Sequence, residues 1–593
     1  MAEGSPLAAV GTQLRTLATE IQRYLSNVPE GDLYFPPVIG GAHADDYVQK
    51  GVQGLSKFLH HVQKESAIVD ALLESHSPPV EYSTNLVSLQ GVWDAFKRAP
   101  RPLVGVWQTM ERQNGPGSVK VDVVAAGGNE WVKVNTIKES RLMVEFREHD
   151  SYINSDYDSD SDAEGVPSPG AELTNSLITQ ARALVDAAQQ YQRLPGLPQP
   201  RIRYVLTRLE GHPESGHPDP RIPQSFAALR DLGIELEFAT QWTAPPPPLT
   251  RPAEAVPATD IVLDLSVLIA LCCDSTHYPL PQDENELEAR FRLLRVGEAP
   301  ATNAAHKPVP HLAPHSNATR DLRDQLQLEM TRPLIQELSD RLSAGGITTP
   351  RFWCTREVHG RLPGLVEVIG GAAERRRAKA LFDPTVGDFW EGSRWEGAAG
   401  HLTSIHVTII EDGELLTHEP ETAFDAAVAA VCERMIAASG ASTPPSREPT
   451  PGPTKPVRPQ KKKEKEKAEP KTKTKKDRDG GQASKNPLRP GTVFPASSRL
   501  PSGHTLRTLL AGILARATVL TNNRGAVLKV MREAGVTDGI PDTDGDARRA
   551  RIWVVNSSSL AEWRRIEVEE NNRRVLAGET GGEVGRKGHG DQS

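Results

Sequence analysis

The chain has few cysteines, few aromatic residues and no long apolar run, and each shortage removes a class of protein. Its four cysteines, Cys272, Cys273, Cys354 and Cys432, are too few and too irregularly spaced for a disulfide framework or a CxxC metal site, and they suit a reducing compartment. The longest apolar stretch, Ile261 to Cys273, has an aspartate inside it and falls short of the roughly 20 residues that a membrane span needs. The first residues, MAEGSPLAAVGTQLRTLATEIQRYL, interrupt their apolar positions with Gln, Arg, Thr and Glu, so they lack the apolar centre of a signal peptide. The expectation is an intracellular chain, cytoplasmic and/or nuclear, with no membrane partner. No P-loop, dinucleotide fingerprint, zinc signature or nucleophile elbow is present, which argues against a nucleotide cofactor and against hydrolase triads. Positive charge is also short: 69 basic residues stand against 77 acidic ones for a net charge of -8, so any attraction for nucleic acid must come from a local patch.

Proline and glycine are abundant, 48 of each, while hydrophobic residues make up only 37%, so a sizeable part of the 593 residues should be linker between about two to four folded units. Three composition breaks mark the linkers. Residues 155–170 are acidic and Ser-rich, with Ser155, Ser159 and Ser161 set beside acids as in substrates of acidophilic kinases. Residues 243–259 are Pro-rich and read as an extended connection. Residues 441–500 are Pro, Ser, Thr and Lys, with nine Lys against three Glu between Lys461 and Lys476. The expected organisation is an N-terminal α/β domain over 1–242 with a disordered acidic loop at 151–172, and a linker at 243–259. A second domain follows in two parts, 260–440 and 501–575, separated by a disordered basic insert at 441–500 and followed by a disordered tail at 576–593.

Periodicity supplies the elements. Leu14, Leu17, Ile21 and Leu25 fall on one helical face, as do Val52, Leu55, Phe58, Leu59 and Val62. LVGVWQTM, VKVDVVAAGG and EWVKVNT then read as strands, the last two joined by a Gly-Gly-Asn turn. A helix near 177–190, the strand RIRYVLT, a helix near 226–232 and the strand IELEF complete an α-β-β-β-α-β order with a further helix and strand appended. Beyond the Pro-rich linker, IVLD has the unbroken apolar character of a strand buried on both faces. Helices near 322–342, 358–369 and 423–437 alternate with the strands FWCT and IHVTII, and after the insert LRTLLAGILA and AVLKVMREAG alternate with ATVLT and RIWVV. Repeated βα units predict a doubly wound parallel sheet.

Asp264 closes the strand IVLD at the edge where parallel α/β sheets place their sites, yet aspartate before a helix is also a favoured N-cap. Both readings stand at this point. The pattern around Asp264, with ATVLTNNRGAVLKVMREAG, resembles the PIN superfamily of metal-dependent ribonucleases. VKVDVVAAGGNEWVKV, LDLSVLIAL, CTREVHGRLPGLVEVIGG and LTNNRGAVLKV together resemble the domain of unknown function 1308 family, whose C-terminal half is PIN-like. That resemblance implies Asp264 as the first acid and metal ligand, Glu357 or Glu367 beside Arg361 as the second, and Asn523, after Thr521 and Asn522, where a further acid should stand. An amide there weakens Mg²⁺ or Mn²⁺ binding, because two-metal chemistry needs several carboxylates. Asp542, Asp544 and Asp546 alternate within GIPDTDGDARR, but the glycine is misplaced and no Glu closes a calcium loop.

In the first domain, Asp122 and Lys133 lie on the two arms of the hairpin, and their setting is similar to the restriction-endonuclease-like core. Trp131 occupies the place of the second acid, so Glu130 would have to substitute for it. Lys461, Lys462, Lys463, Lys475 and Lys476 are the candidate contacts to RNA phosphates, with a solvated spacer as the plain alternative. These features lead to the expectation of an RNA-associated PIN-like protein with a degenerate nuclease site. The alternatives are a non-catalytic scaffold that binds protein partners, and an active Mg²⁺- or Mn²⁺-dependent ribonuclease.

Overall fold

The unalternated run Ile261, Val262, Leu263 becomes an interior strand of a parallel sheet, as an apolar run with no polar face must, because helices cover that sheet on both sides. The computed structural model describes residues 6–41, 46–75, 82–111, 117–155, 173–191, 199–247, 254–296, 310–314, 316–402, 405–411, 418–441, 500–536, 549–556 and 558–578. In chain order their strands are β1 (Val38–Ile39), β2 (Gly105–Glu111), β3 (Ser118–Ala125), β4 (Glu130–Asn135), β5 (Arg201–Leu206), β6 (Glu235–Phe238), β7 (Asp260–Leu263), β8 (Leu294–Val296), β9 (Pro310–Leu312), β10 (Arg351–Thr355), β11 (Val407–Ile410), β12 (Thr518–Thr521) and β13 (Ile552–Val554). Among the described residues no helix is long and apolar enough to cross a membrane.

The larger sheet runs β1-β13-β12-β7-β10-β11 with every pair parallel. One face packs Leu263, Leu268, Leu338, Phe352 and Leu362 beneath the helices Leu265–Cys272, Leu334–Ala344 and Arg356–Ile369. The other packs Phe424, Val428, Leu509, Val519 and Val527 beneath Ala423–Ala441, Gly503–Leu514 and Arg524–Glu533. The molecule is thus mixed α/β, with a parallel sheet flanked by helices. The strands on either side of residues 442–499 belong to this one sheet, as expected, since β12 lies between β13 and β7.

The second sheet runs β2-β3-β4-β5-β6, antiparallel as far as β4 and parallel thereafter. The expected turn between β3 and β4 is a short 3-10 segment, Ala126–Gly128, followed by Asn129. The helices Pro6–Ser26, Leu55–Glu74 and Leu86–Arg98 cover one face, while Glu139–Ser155, Ser176–Gln190 and Arg221–Asp231 lie on the other.

Several expectations need correction. Residues 38–39, placed by sequence in the first domain, form an edge strand of the larger, parallel sheet, where Val38 pairs with Ile552 and Ile39 with Trp553. The segment carrying β1 is tied to both halves: Arg551 N–H donates to Pro37 O at 2.7 Å, and Gln49 Nε2 donates to Leu103 O at 2.5 Å. The single helix expected over 322–342 is two, Asn317–Thr331 and Leu334–Ala344. Pro333 separates them, because proline offers no amide donor and clashes with the preceding turn. Residues 151–155, expected as disordered loop, are the last turn of the helix Glu139–Ser155, and Leu576, expected in the tail, ends the helix Glu562–Leu576. The hairpin β8-β9 was not expected. Residues 156–172, 442–499 and 579–593, where the remainder of the disordered segments was expected, lie outside the described residues.

Two outcomes follow from this packing. A chain cut at a protease site inserted within 442–499 should yield halves that co-elute on size exclusion without denaturant, because β7 and β12 share a ladder; separation would refute the shared sheet. In addition, a Cβ on Gly512 would fall 2.0 Å from Val519 Cγ2, so Gly512→Ala should destabilise the fold by about 1–3 kcal/mol in urea titration, as overpacked cores do.

Candidate functional site

The edge formed by the C-terminal ends of the parallel strands brings together Asp264 after β7, Thr521 at the end of β12 with Asn522 beyond it, and Thr355 at the end of β10. Asp264 is the N-cap of Leu265–Cys272, with extended backbone, and its Oδ1 accepts from Leu265 N–H at 2.9 Å. Its other oxygen accepts from Ser266 Oγ at 2.9 Å, from Thr521 Oγ1 at 2.9 Å and, more weakly, from Thr505 Oγ1 at 3.4 Å. The carboxylate is buried, and no Arg, Lys or His among the described residues forms an ion pair with it. Of the two readings of Asp264, the geometry is that of the cap, extended into a hub by three hydroxyls.

Asn523 is likewise a cap. Its Oδ1 accepts from Ala526 N–H at 3.1 Å at the start of Arg524–Glu533, and its own N–H donates to Thr521 Oγ1 at 3.0 Å, extending the chain of bonds to Asp264. Asn522 Nδ2 donates to Ser266 O at 3.2 Å. Glu357 is drawn off by cations: Arg507 Nη2 donates to it at 2.9 Å and Arg361 Nη2 lies 2.8 Å away. The hydrogen bonds from Arg507 hold its carboxyl below the usual range. Glu367 is well exposed at the far end of the same helix, 3.5 Å from Arg375. The structure therefore does not gather Asp264, Glu357 and Glu367, and among the described residues no three His, Cys, Asp or Glu side chains are grouped to hold a metal. The donor set at Asp264 does not fit a Mg²⁺ or Mn²⁺ ion either. Asp264 is a lone carboxylate among three hydroxyls and an amide, whereas an ion of this kind in a two-metal site is held by several carboxylates.

Sequence reasoning missed the cleft beside this hub. Gly40 and Gly41 beyond β1, Asn522 beyond β12 and Asn556 beyond β13 line a cavity of about 180 Å³ with the guanidinium groups of Arg332 and Arg524. Arg332 Nη2 is 3.0 Å from the buried Glu337, whose carboxyl is pushed up by burial and held down in part by Arg332; Arg524 pairs with Asp46. Gly41 is required here, with φ +55 and a built Cβ only 2.8 Å from Arg332 Nη1. Guanidinium and amide groups offer hydrogen-bond donors for anionic oxygens, and Glu337, which also lines the cavity, is an acid already paired with Arg332. The signal in sequence was slight: a Gly-Gly pair after two prolines, far from Asn522.

The first domain's candidates are paired internally. Asp122 accepts from Val134 N–H at 2.9 Å and lies 3.0 Å from Lys133 Nζ, directly across the β3-β4 ladder. Glu130 is buried 2.6 Å from Arg203, which opposes the upward pull of burial on its pKa. Asp122 and Lys133 are thus brought together, whereas Glu130 is committed to Arg203 and Arg201. Lys461, Lys462, Lys463, Lys475 and Lys476, and also Asp542, Asp544 and Asp546, lie outside the described residues. Compared with protein-family models, curated proteins and solved structures, the chain matches none.

Asp264→Ala would leave one amide and three hydroxyls without their acceptor, so it should cost about 2–4 kcal/mol in chemical denaturation. Asn523→Asp keeps a capping oxygen, and its melting temperature should respond to Mn²⁺ no more than the parent's does; a clear Mn²⁺-dependent rise would show that one carboxylate suffices to assemble a metal site.

Proposed function

We propose that this chain is an RNA-associated protein whose PIN-like sheet carries a degenerate nuclease site, so that it binds single strands without cleaving them. The observation that carries the non-catalytic part is the commitment of Asp264, whose two oxygens serve a helix cap and three hydroxyls. A cleavage site needs acids free to hold metal and activate water, and here Glu357 and Glu367 are held by arginines. Support for the RNA part comes from the resemblance, from the lysine run at 461–476 and from the donor-lined cleft beside the hub. Such a cleft suits phosphate oxygens, and contacts of this kind make binding fall with added salt.

A second reading, a protein-binding scaffold, is favoured by one feature. Val368 is 81% exposed, Ile369 51% and Trp563 62%. These residues sit on adjacent elements, since Gly371 abuts Glu562 and Ala373 N–H donates to Glu562 Oε1 at 3.1 Å. Exposed apolar groups clustered in this way mark interaction surfaces.

Incubation of the full chain with labelled single-stranded RNA and Mn²⁺ or Mg²⁺ separates the readings. The expected result is salt-sensitive binding in gel shift with the RNA intact. Metal-dependent cleavage products would overturn the degenerate site, and absence of binding at low salt would leave the scaffold.

A further inference from the structure

A second cavity, of about 520 Å³, lies in the first domain between the helices Leu55–Glu74 and Leu86–Arg98 and the edge of β2 and β3. Its size is in the range that accommodates a small ligand. Lys57 and His61, one helical turn apart, project from the first helix, and Lys120 of β3 meets them from the sheet. Among the described residues neither Lys57 nor Lys120 has a carboxylate partner. The Lys120 ammonium instead sits 3.6 Å from the centre of the Trp107 ring, an attraction to the indole face that substitutes only partly for an anion. Burial lowers the Lys120 pKa, with Lys133 and Lys57 adding to it and Asp122 opposing. The acid that does line the cavity, Glu65, is already used: it accepts from Thr84 Oγ1 at 3.1 Å, from Asn85 N–H at 3.0 Å and from Asn85 Nδ2 at 3.3 Å.

The aromatic part of the wall is held in place under strain. Trp107 has φ +54 in the middle of β2, between the paired positions Val106–Val123 and Gln108–Val121 of the ladder with β3. A left-handed backbone is costly for a bulky residue, and such outliers cluster at binding sites. The indole is braced edge-on by Phe58 at 4.8 Å and by the exposed His61 ring at 5.0 Å.

We propose that this groove binds a nucleotide, with the Lys57 and Lys120 ammonium groups taking the phosphate and the His61 ring stacking on the base. The shared chemistry is a phosphorylated nucleoside, either free or as one unit of a single strand. Only the single-strand source rests on the RNA-associated reading; the site does not.

Isothermal titration of the full chain with uridine 5′-monophosphate, with uridine and with inorganic phosphate tests the site. Uridine monophosphate should bind more tightly than either fragment. Lys57→Glu, on an exposed helix face where folding is not at stake, should weaken it by at least about tenfold. His61→Ala should weaken uridine monophosphate several-fold and leave phosphate unchanged. Equal binding of uridine and its monophosphate, or an affinity unmoved by both Lys57→Glu and Lys120→Glu, would overturn the proposal. Fluorescence anisotropy with a labelled single-stranded RNA resolves the source: loss of RNA binding in Lys57→Glu assigns the site to RNA, and loss of the mononucleotide alone assigns it to free nucleotides. Retention of mononucleotide binding in Arg332→Glu separates this groove from the cleft of the parallel sheet.

Discussion

One buried carboxylate reinforces, from its side chain, the backbone ladder that joins the parallel sheet across its longest break in sequence. Asp264 receives bonds from its own helix, from Thr521 at the end of β12 and from Thr505 in the helix Gly503–Leu514. The last two come from beyond residues 442–499, so this one side chain joins both parts of the second domain. A carboxylate removed from water carries a penalty of several kcal/mol unless its charge is met. Here it is met by neutral donors and by the start of a helix, whose exposed amides favour negative charge. The cost is therefore conditional: with β12 or Gly503–Leu514 displaced, Asp264 would be a buried anion short of partners. That condition makes a strand-end acid a determinant of topology.

Glu65 and Glu374 are likewise met by neutral donors, Glu65 by Thr84 and Asn85 and Glu374 by four backbone N–H groups, whereas other buried acids are paired with arginines. Asp32 lies 2.7 Å from Arg101, Asp274 2.6 Å from Arg565, Asp425 2.9 Å from Arg551 and Glu329 2.6 Å from Arg394. Even so, burial pushes the Glu329 carboxyl up to about 7 against the pull of Arg394, and burial also lowers the pKa of Arg394. Removal from water favours the neutral form of each group, and the attraction within the pair works against it. Against this background of internal pairing, the groove of Lys57 and Lys120 stands apart as a place where cationic charge is left to solvent or to a ligand.

Much of the fold was legible because its signals are local. The run at β7, the apolar strand segments at β3 and β4 and the helical stripe of Leu14, Leu17 and Ile21 each report burial within a few residues. The two-residue strand β1 was not legible, since Val38 and Ile39 between a Pro-Pro and a Gly-Gly pair have no period to detect, and their partners Ile552 and Trp553 are remote in sequence. The candidate site divides in the same way. The position of Asp264 at a strand end followed from the apolar run before it, but its role depended on hydroxyls at 505 and 521, and threonines are too common to announce such a bond. The Trp107 groove was hidden for a related reason. A tryptophan in a strand reads as core, and no pattern encodes the left-handed backbone with which this one lies beside Lys120 and His61.

The resemblance to metal nucleases rests on residues that serve the fold equally well without metal, and this is why motif and chemistry part here. An acid after a parallel strand is favoured as a helix cap whether or not it binds a cation, and a Thr-Asn-Asn turn before a helix supplies a cap in Asn523 and a donor in Thr521. With hydroxyls and a helix N–H donating to it, the carboxylate is an acceptor in a neutral network that serves the fold. What distinguishes a working site is a surplus of charge that the fold does not itself consume. By that measure the parallel sheet's edge is nearly balanced, with Arg332 and Arg524 each facing an acid. In the first domain, by contrast, Lys57 of the helix Leu55–Glu74 and Lys120 of β3 line one groove without an ion pair to a carboxylate among the described residues, and there an anion would meet charge that the fold does not consume.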